Sequence, residues 1–125
     1  MCPCGSERPC ADCCGAYIAG TALPSTAEQL MRSRYTAYTR QDSDYLLRTW
    51  SGQTRPQTPD LRQDGAVRWL GLKIVVTEGG GKHDAGGIVE FVARYKLNGK
   101  AVRLHERSRF ERVDGRWLYV DGIIK

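Results

Sequence analysis

The sequence predicts an α+β domain, helices first and then a four-stranded antiparallel meander, with a small cysteine-rich head in front. Three observations carry this. Apolar residues recur at helical spacing as far as about residue 50 and change to an alternating period from Val67 onward. Two hairpin signals, Asn98-Gly99 and Asp114-Gly115, punctuate the alternating half. All five cysteines fall within the first fourteen residues.

In the head, Cys2-Pro-Cys4-Gly-Ser and Cys13-Cys14-Gly set two close pairs of thiols on either side of a short polar loop. Two such pairs are what a tetrahedral zinc site needs, and Cys2, Cys4, Cys13 and Cys14 are the first choice of ligands. A thiolate cage contributes roughly 10–16 kcal/mol of apparent binding free energy, enough to order a segment with no core of its own. Spacing alone leaves Cys10 open, because Cys10-Ala-Asp-Cys13 is itself a C-x-x-C pair. That pair suits a zinc knuckle or a redox couple, although no clear helix is expected to open at it and lend its dipole to a thiolate. A secreted disulfide framework is disfavoured. The N-terminus has no charged segment followed by an apolar one, and the cysteines do not spread over the chain. A reducing, cytoplasmic setting is expected, with Zn2+ in a structural role because four thiolates leave no open position for water.

Tyr17 to Pro24 reads as a linker. Ser25-Thr-Ala-Glu28 then has the spacing of a capping box. The helix expected from Thr26 to about Arg40 puts Ala27, Leu30, Met31, Arg34, Tyr35 and Tyr38 on one face. Asp42 is placed to cap a shorter helix carrying Tyr45, Leu46 and Trp50. Residues 52–65, rich in Gly, Pro, Gln and Thr, read as a loop with one helical turn around Pro59-Asp60-Leu61. Strands follow from Val67, from Gly87, over Ala101 to Val113, and over Arg116 to Ile124. Helices packed on one face of such a sheet give the α+β class.

Several stretches are recognisable together. Cys-Pro-Cys-Gly-Ser followed by Cys-Cys-Gly resembles the SEC-C zinc motif of the SecA tail. Glu28-Gln-Leu-Met-Arg-Ser-Arg-Tyr-Thr-Ala-Tyr, Trp69-Leu-Gly-Leu, Phe91-Val-Ala-Arg-Tyr and Glu106-Arg-Ser-Arg-Phe are similar to the YchJ family (UPF0225). The resemblance spans nearly the whole chain. It implies a SEC-C head over residues 1–16 and an NTF2-like (cystatin-like) domain over residues 25–125, and it favours Cys14 over Cys10 as the fourth ligand. Some members carry a second cysteine cluster at the C-terminus, which this sequence lacks. The family has no established reaction.

Strand alternation assigns faces. Val102, Leu104, Glu106, Ser108 and Phe110 share one side of the third strand, so a carboxylate lies among apolar residues. The expected explanation is a buried ion pair from Glu106 to Arg32 or Arg34, clamping helix to sheet. The alternative is a small-molecule pocket with Glu106 as acid or base and Tyr35, Tyr38, Trp50 and Trp69 as walls. The opposite face gathers Arg94, Lys96, Arg103, His105, Arg107 and Arg109, a basic stripe that would cover the sheet or follow the phosphates of ribosomal RNA or another polyanion. No interleaved aromatic row accompanies it for base stacking.

With 125 residues and a net charge of +5, the chain makes one core plus its head, and its basic surface suits an acidic partner. No apolar run is long enough to span a bilayer. No nucleophile elbow, phosphate-binding loop or dinucleotide fingerprint appears, so catalysis is not expected and Glu106 is the one weak candidate for it. The leading functional expectation is a zinc-stabilised module that docks a protein or ribosomal partner through its head. The pocket around Glu106 is the alternative.

Overall fold

The computed structural model describes residues 2–56 and 67–125. After a single 3-10 turn at Cys10–Asp12 come α1 (Cys14–Ala19), α2 (Ala27–Thr39) and α3 (Ser43–Arg48). Strands β1 (Val67–Gly79), β2 (Gly86–Leu97), β3 (Lys100–Val113) and β4 (Arg116–Ile124) follow. They pair in the order β1-β2-β3-β4, all antiparallel, so the meander expected from the two turn signals forms. The turn expected at Pro59-Asp60-Leu61 lies outside the described residues.

Two local expectations are corrected. The segment read as a linker from Tyr17 contains the second half of α1, a six-residue helix opened by Cys14 and closed by Gly20 in the left-handed region (φ 84°). So short a helix has no amphipathic signature and owes its stability to packing. The cap of α2 is Thr26 rather than Ser25: its side chain accepts from the Gln29 amide at 3.1 Å. Gln29 Oε1 reaches back to accept from the Ser25 amide at 2.8 Å, and Glu28 is left free to pair with Arg32. Asp42 caps α3 as expected, accepting from the Tyr45 amide at 3.1 Å.

The sheet wraps α2. Leu30, Met31 and Tyr35 pack against Val89, Phe91 and Ala93 of β2 and against Phe110 and Trp117. β-bulges between Trp69 and Gly71 and between Ile74 and Val76 bend β1, and a third interrupts the β3–β4 ladder opposite Arg109/Phe110. Each adds local twist and curls the sheet around the helix. The other flank of α2, at Ser33, Thr36 and Ala37, is also buried. There the cover comes from the cysteine head and from α3, whose Tyr45 and Leu46 pack on Ala37 with Tyr17 and Ile18 of α1 alongside.

The head is therefore not a separate body. Cys2, Cys4, Cys13 and Cys14 belong to the same buried cluster as Leu30, Met31 and the inner face of β2.

Tyr45 gives the fold a pH signature. It is 1% exposed and its hydroxyl lies 2.7 Å from Ser33 Oγ. Burial pushes its phenol up to about 12, whereas an unfolded tyrosine ionises near 10. A group whose pKa is raised on folding contributes stability below its unfolded value and loses it as pH climbs through the folded one. The urea midpoint should hold steady to about pH 9.5 and fall between about pH 10 and 12, with a shallower fall in Tyr45→Phe.

Candidate functional site

Two features could carry function, one on each side of α2. On the outer side, Cys2, Cys4, Cys13 and Cys14 bring their sulfurs within 4.8 Å of one another. Cys4 Sγ and Cys13 Sγ are 3.7 Å apart, and Cys13 Sγ and Cys14 Sγ 3.9 Å. Thiolates about 2.3 Å from a tetrahedral zinc stand about 3.8 Å apart, so the cluster fits such an ion. All four residues are at most 7% exposed. Ser6 Oγ lies 3.2 Å from Cys13 Sγ, Thr36 Oγ1 lies 3.7 Å from Cys2 Sγ, and Arg32 Nη1 donates to the Cys4 carbonyl at 2.7 Å. The last two contacts orient the ligating turns from α2 itself, and the first from within the head. Between Cys4 and Cys14 a shared hydrogen bond pulls the Cys4 thiol down to about 4 and pushes the Cys14 thiol up.

Cys10 stands outside the group, with Arg40 Nη2 at 2.9 Å from its sulfur. Its turn lies directly on α1 because residue 15 is glycine: a Cβ there would stand 2.6 Å from the Cys10 carbonyl oxygen. All five cysteines are free thiols.

On the inner side, a cavity of about 240 Å³ lies between α2 and the sheet. Arg34, Glu106 and Tyr119 supply its polar groups, and Tyr35, Phe91 and Leu104 much of its apolar wall. The expected clamp does not form. Arg32 points outward to Glu28 at 3.0 Å. Arg34, 2% exposed, donates through Nη1 to the Leu46 carbonyl (2.9 Å) and to Thr49 Oγ1 (2.8 Å) at the C-terminal end of α3. Its guanidinium carbon lies 4.9 Å from the Trp50 ring centre and 4.6 Å from that of Tyr119. The α3 carbonyls and the two π faces draw the cation away from the sheet carboxylate. Burial also lowers the pKa of Arg34.

Glu106 is held from its own sheet. Ser108 Oγ donates to its Oε2 at 2.6 Å and Tyr119 Oη at 3.4 Å. Gly122, across the β3–β4 ladder from Ser108, leaves the carboxylate its space, since a Cβ at that position would overlap it. Burial, with the Glu106 charge adding to it, pushes the Tyr119 phenol up, so Tyr119 serves as a donor. Trp69 joins the wall, edge-on to Tyr35 with centroids 5.5 Å apart, and its buried indole N–H has no partner among the described residues.

Of the residues expected at the pocket, Arg34, Tyr35, Tyr38, Trp69 and Glu106 line the cavity, whereas Arg32 and Trp50 do not. Trp50 stands behind Arg34 as its stacking partner. Phe91 and Leu104 complete the apolar wall from the inner faces of β2 and β3. Tyr119, two residues on from Trp117, keeps to the inner face of β4 up to the bulge in the β3–β4 ladder.

The basic stripe separates into two halves. His105 Nε2 donates to Glu90 Oε2 at 2.7 Å, and Arg107 bonds both Glu90 (3.2 Å) and Glu78. Arg109 pairs with Asp121 at 2.6 Å. His105 and then Arg107 hold the Glu90 carboxyl below the usual range. Arg94, Lys96 and Arg103 have no such partner among the described residues.

A family model described as YchJ, middle NTF2-like domain, matches residues 26–122. The chain belongs to the YchJ (UPF0225) family. A UPF0225 protein of Chromobacterium violaceum is 53% identical over 125 residues, covering 98% of this chain and 92% of the relative. One from Streptomyces coelicolor is 50% identical over 121 residues, covering 97% and 93%. The solution structure of a SEC-C motif containing protein from Rhodopseudomonas palustris superposes with a TM-score of 0.87 at 34% identity, over 98% of this chain and 96% of that one. A crystal structure of a SEC-C motif containing protein from Psychrobacter arcticus gives 0.77 at 25% identity, over 100% and 82%. This YchJ member thus joins an NTF2-like domain to a SEC-C cysteine cluster whose geometry suits a metal ion. Among the described residues no helix is long and apolar enough to cross a membrane.

Elemental analysis should find one zinc per chain, retained in Cys10→Ser and lost or greatly weakened in Cys14→Ser. Retention should weaken as pH falls, since protons compete for the thiolates. Because the cluster is part of the main core, chelation should lower the melting temperature of the whole domain. A sheet that melts unchanged after zinc removal would show the head to be energetically separate.

Proposed function

We propose that the protein is a zinc-stabilised, cytoplasmic binding protein for a small ligand, with its site in the cavity between α2 and the sheet. The carrying observation is that Arg34 and Glu106 both reach one apolar cavity without pairing with each other. Among the described residues Arg34 has no carboxylate partner, which is costly for a buried arginine, and a site built to receive an anion gives that cost a purpose. The volume, just below the ~300–1,000 Å³ of pockets for drug-sized molecules, suits a ligand of about one ring with short substituents.

The matching ligand carries an anionic group toward Arg34, an apolar body against Phe91 and Leu104, and a hydrogen-bond donor toward Glu106. Trp69 offers one further donor. Zinc acts at a distance in this reading: by ordering the head it keeps the outer flank of α2 dry and fixes the helix that carries Arg34. Thiolates that must stay reduced to hold a metal suit a reducing compartment. Docking of a protein or ribosomal partner through the head would have to use its exposed loop, because the sulfurs themselves are buried.

A panel of benzoates, with and without a 4-amino group, tests the reading by amide chemical-shift mapping. Shifts should centre on Tyr35, Phe91 and Leu104, vanish in Arg34→Met, and lose their preference for the amino compound in Glu106→Gln. No shift at the cavity with any member of the panel, together with shifts in the head loop on adding ribosomes, would return the protein to the class of docking modules.

Stability gives an independent check. A broken buried ion pair costs about 3–5 kcal/mol. Since Glu106 makes none, Glu106→Gln, which keeps an acceptor for Ser108, should move the denaturant midpoint by the equivalent of less than about 1 kcal/mol.

A further inference from the structure

We infer that the outer face of the sheet carries a second site, for the phosphodiester backbone of single-stranded nucleic acid. The site comprises Lys73, Arg94, Lys96 and Arg103, with Arg68 at its edge. It is separate from the inner cavity and does not depend on it.

The register of the sheet is the first observation. Where β2, β3 and β4 meet at one end of this face, opposite charges stand directly across from each other, Glu90 from Arg107 and Arg109 from Asp121. At the other end, Arg94 stands directly across from Arg103, and Lys96 from Arg68. Like charges in facing positions destabilise a ladder. Among the described residues no carboxylate lies within ion-pair distance of these cations. The same sheet thus compensates its charges at one end and accumulates them at the other.

Shape is the second observation. Lys73, Arg94, Arg103 and His105 rim a hollow of about 480 Å³ in the outer face, floored by Val92. Val92 points outward yet is only 6% exposed, because the long cationic chains stand around it. Gly71, where β1 is bulged, is directly opposite Arg94 and adds no side chain to fill the space. A small neutral ligand would leave most of these charges uncompensated. An anion with several oxygens has donors on three strands.

The row spacing points to a polyanion. Arg94 and Lys96 lie two residues apart on β2, about 7 Å at the rise of an antiparallel strand. Each faces a second cation across the ladder, so two cationic rows cross the strands at a separation comparable to that of neighbouring phosphates in a nucleic-acid strand. No aromatic side chain lies between the rows, so contact is with phosphates alone and carries no base preference.

Fluorescence anisotropy with a labelled 20-nucleotide oligouridylate and with oligothymidylate of equal length tests this. Both should bind with similar affinity, and the log–log salt slope should be about −3, at about −0.7 per phosphate neutralised. Arg103→Glu should weaken binding at least tenfold. It should melt no lower than the parent, because it places an acid opposite Arg94, which separates loss of the site from loss of the fold. Arg109→Ala, at the compensated end, should change affinity less than twofold. A clear preference for the uridylate would place the site on RNA, and one for the thymidylate on DNA, within the same chemistry. The assignment is overturned if neither strand binds at 50 mM salt, if Arg103→Glu binds as tightly as the parent, or if poly-glutamate displaces the strand at equal charge concentration. Failure of the benzoates at the inner cavity would leave this result untouched.

Discussion

Everything in this structure leans on α2, a thirteen-residue helix buried on both flanks. A helix on an open sheet normally keeps one side in water. Here the cysteine cluster and α3 cover that side, so Ser33, Thr36 and Ala37 are as deeply buried as Leu30. Covering a helix this way demands partners for its polar groups. Ser33 finds Tyr45 and its own Leu30 carbonyl, and Thr36 finds the Cys2 sulfur. The head is thus a lid on the helix rather than an appendage, and a metal that orders the head also fixes the helix.

That arrangement bears on the cavity. Arg34 is positioned by the far side of α2, through the carbonyl end of α3 and the rings of Trp50 and Tyr119. Glu106 is positioned by the sheet, through Ser108, Tyr119 and the missing side chain of Gly122. Neither charge is satisfied by the other, which leaves the space between them open. Had either been held by the other, helix and sheet would have closed on an ion pair. The cost of keeping them apart falls chiefly on Arg34, whose compensation comes from dipoles and π faces rather than a carboxylate.

The two faces of the sheet differ in kind. The inner face is largely apolar and aromatic, and its cavity gathers Glu106 from the sheet and Arg34 from α2. The outer face is open, and its charges are arranged by register: paired toward β4 and the Gly86 end of β2, and without a carboxylate partner among the described residues toward the Asn98-Gly99 turn. A residue count along the strands cannot separate these halves, because His105, Arg107 and Arg109 look the same in sequence as Arg103. What separates them is the identity of the residue across the ladder.

The sequence by itself determined the class of the fold, the meander, the cap at Asp42, and the two cysteine pairs of the head, with Cys10 left open beside them. Each of these is a local matter of period, turn chemistry or spacing. It also placed Glu106 on an apolar face, since alternation along an uninterrupted strand is a local rule. Tertiary structure decided what that carboxylate does. Whether Arg32 or Arg34 would meet it depended on where α3 ended and offered its carbonyls. Whether Tyr119 would reach it depended on a bulge that shifts the β3–β4 register. The union of head and domain was hidden for the same reason: α1 is too short to announce itself, and it exists because the cysteine turns and α3 hold it against α2. Contacts made across the fold have no period along the chain, so only the folded molecule could assign them.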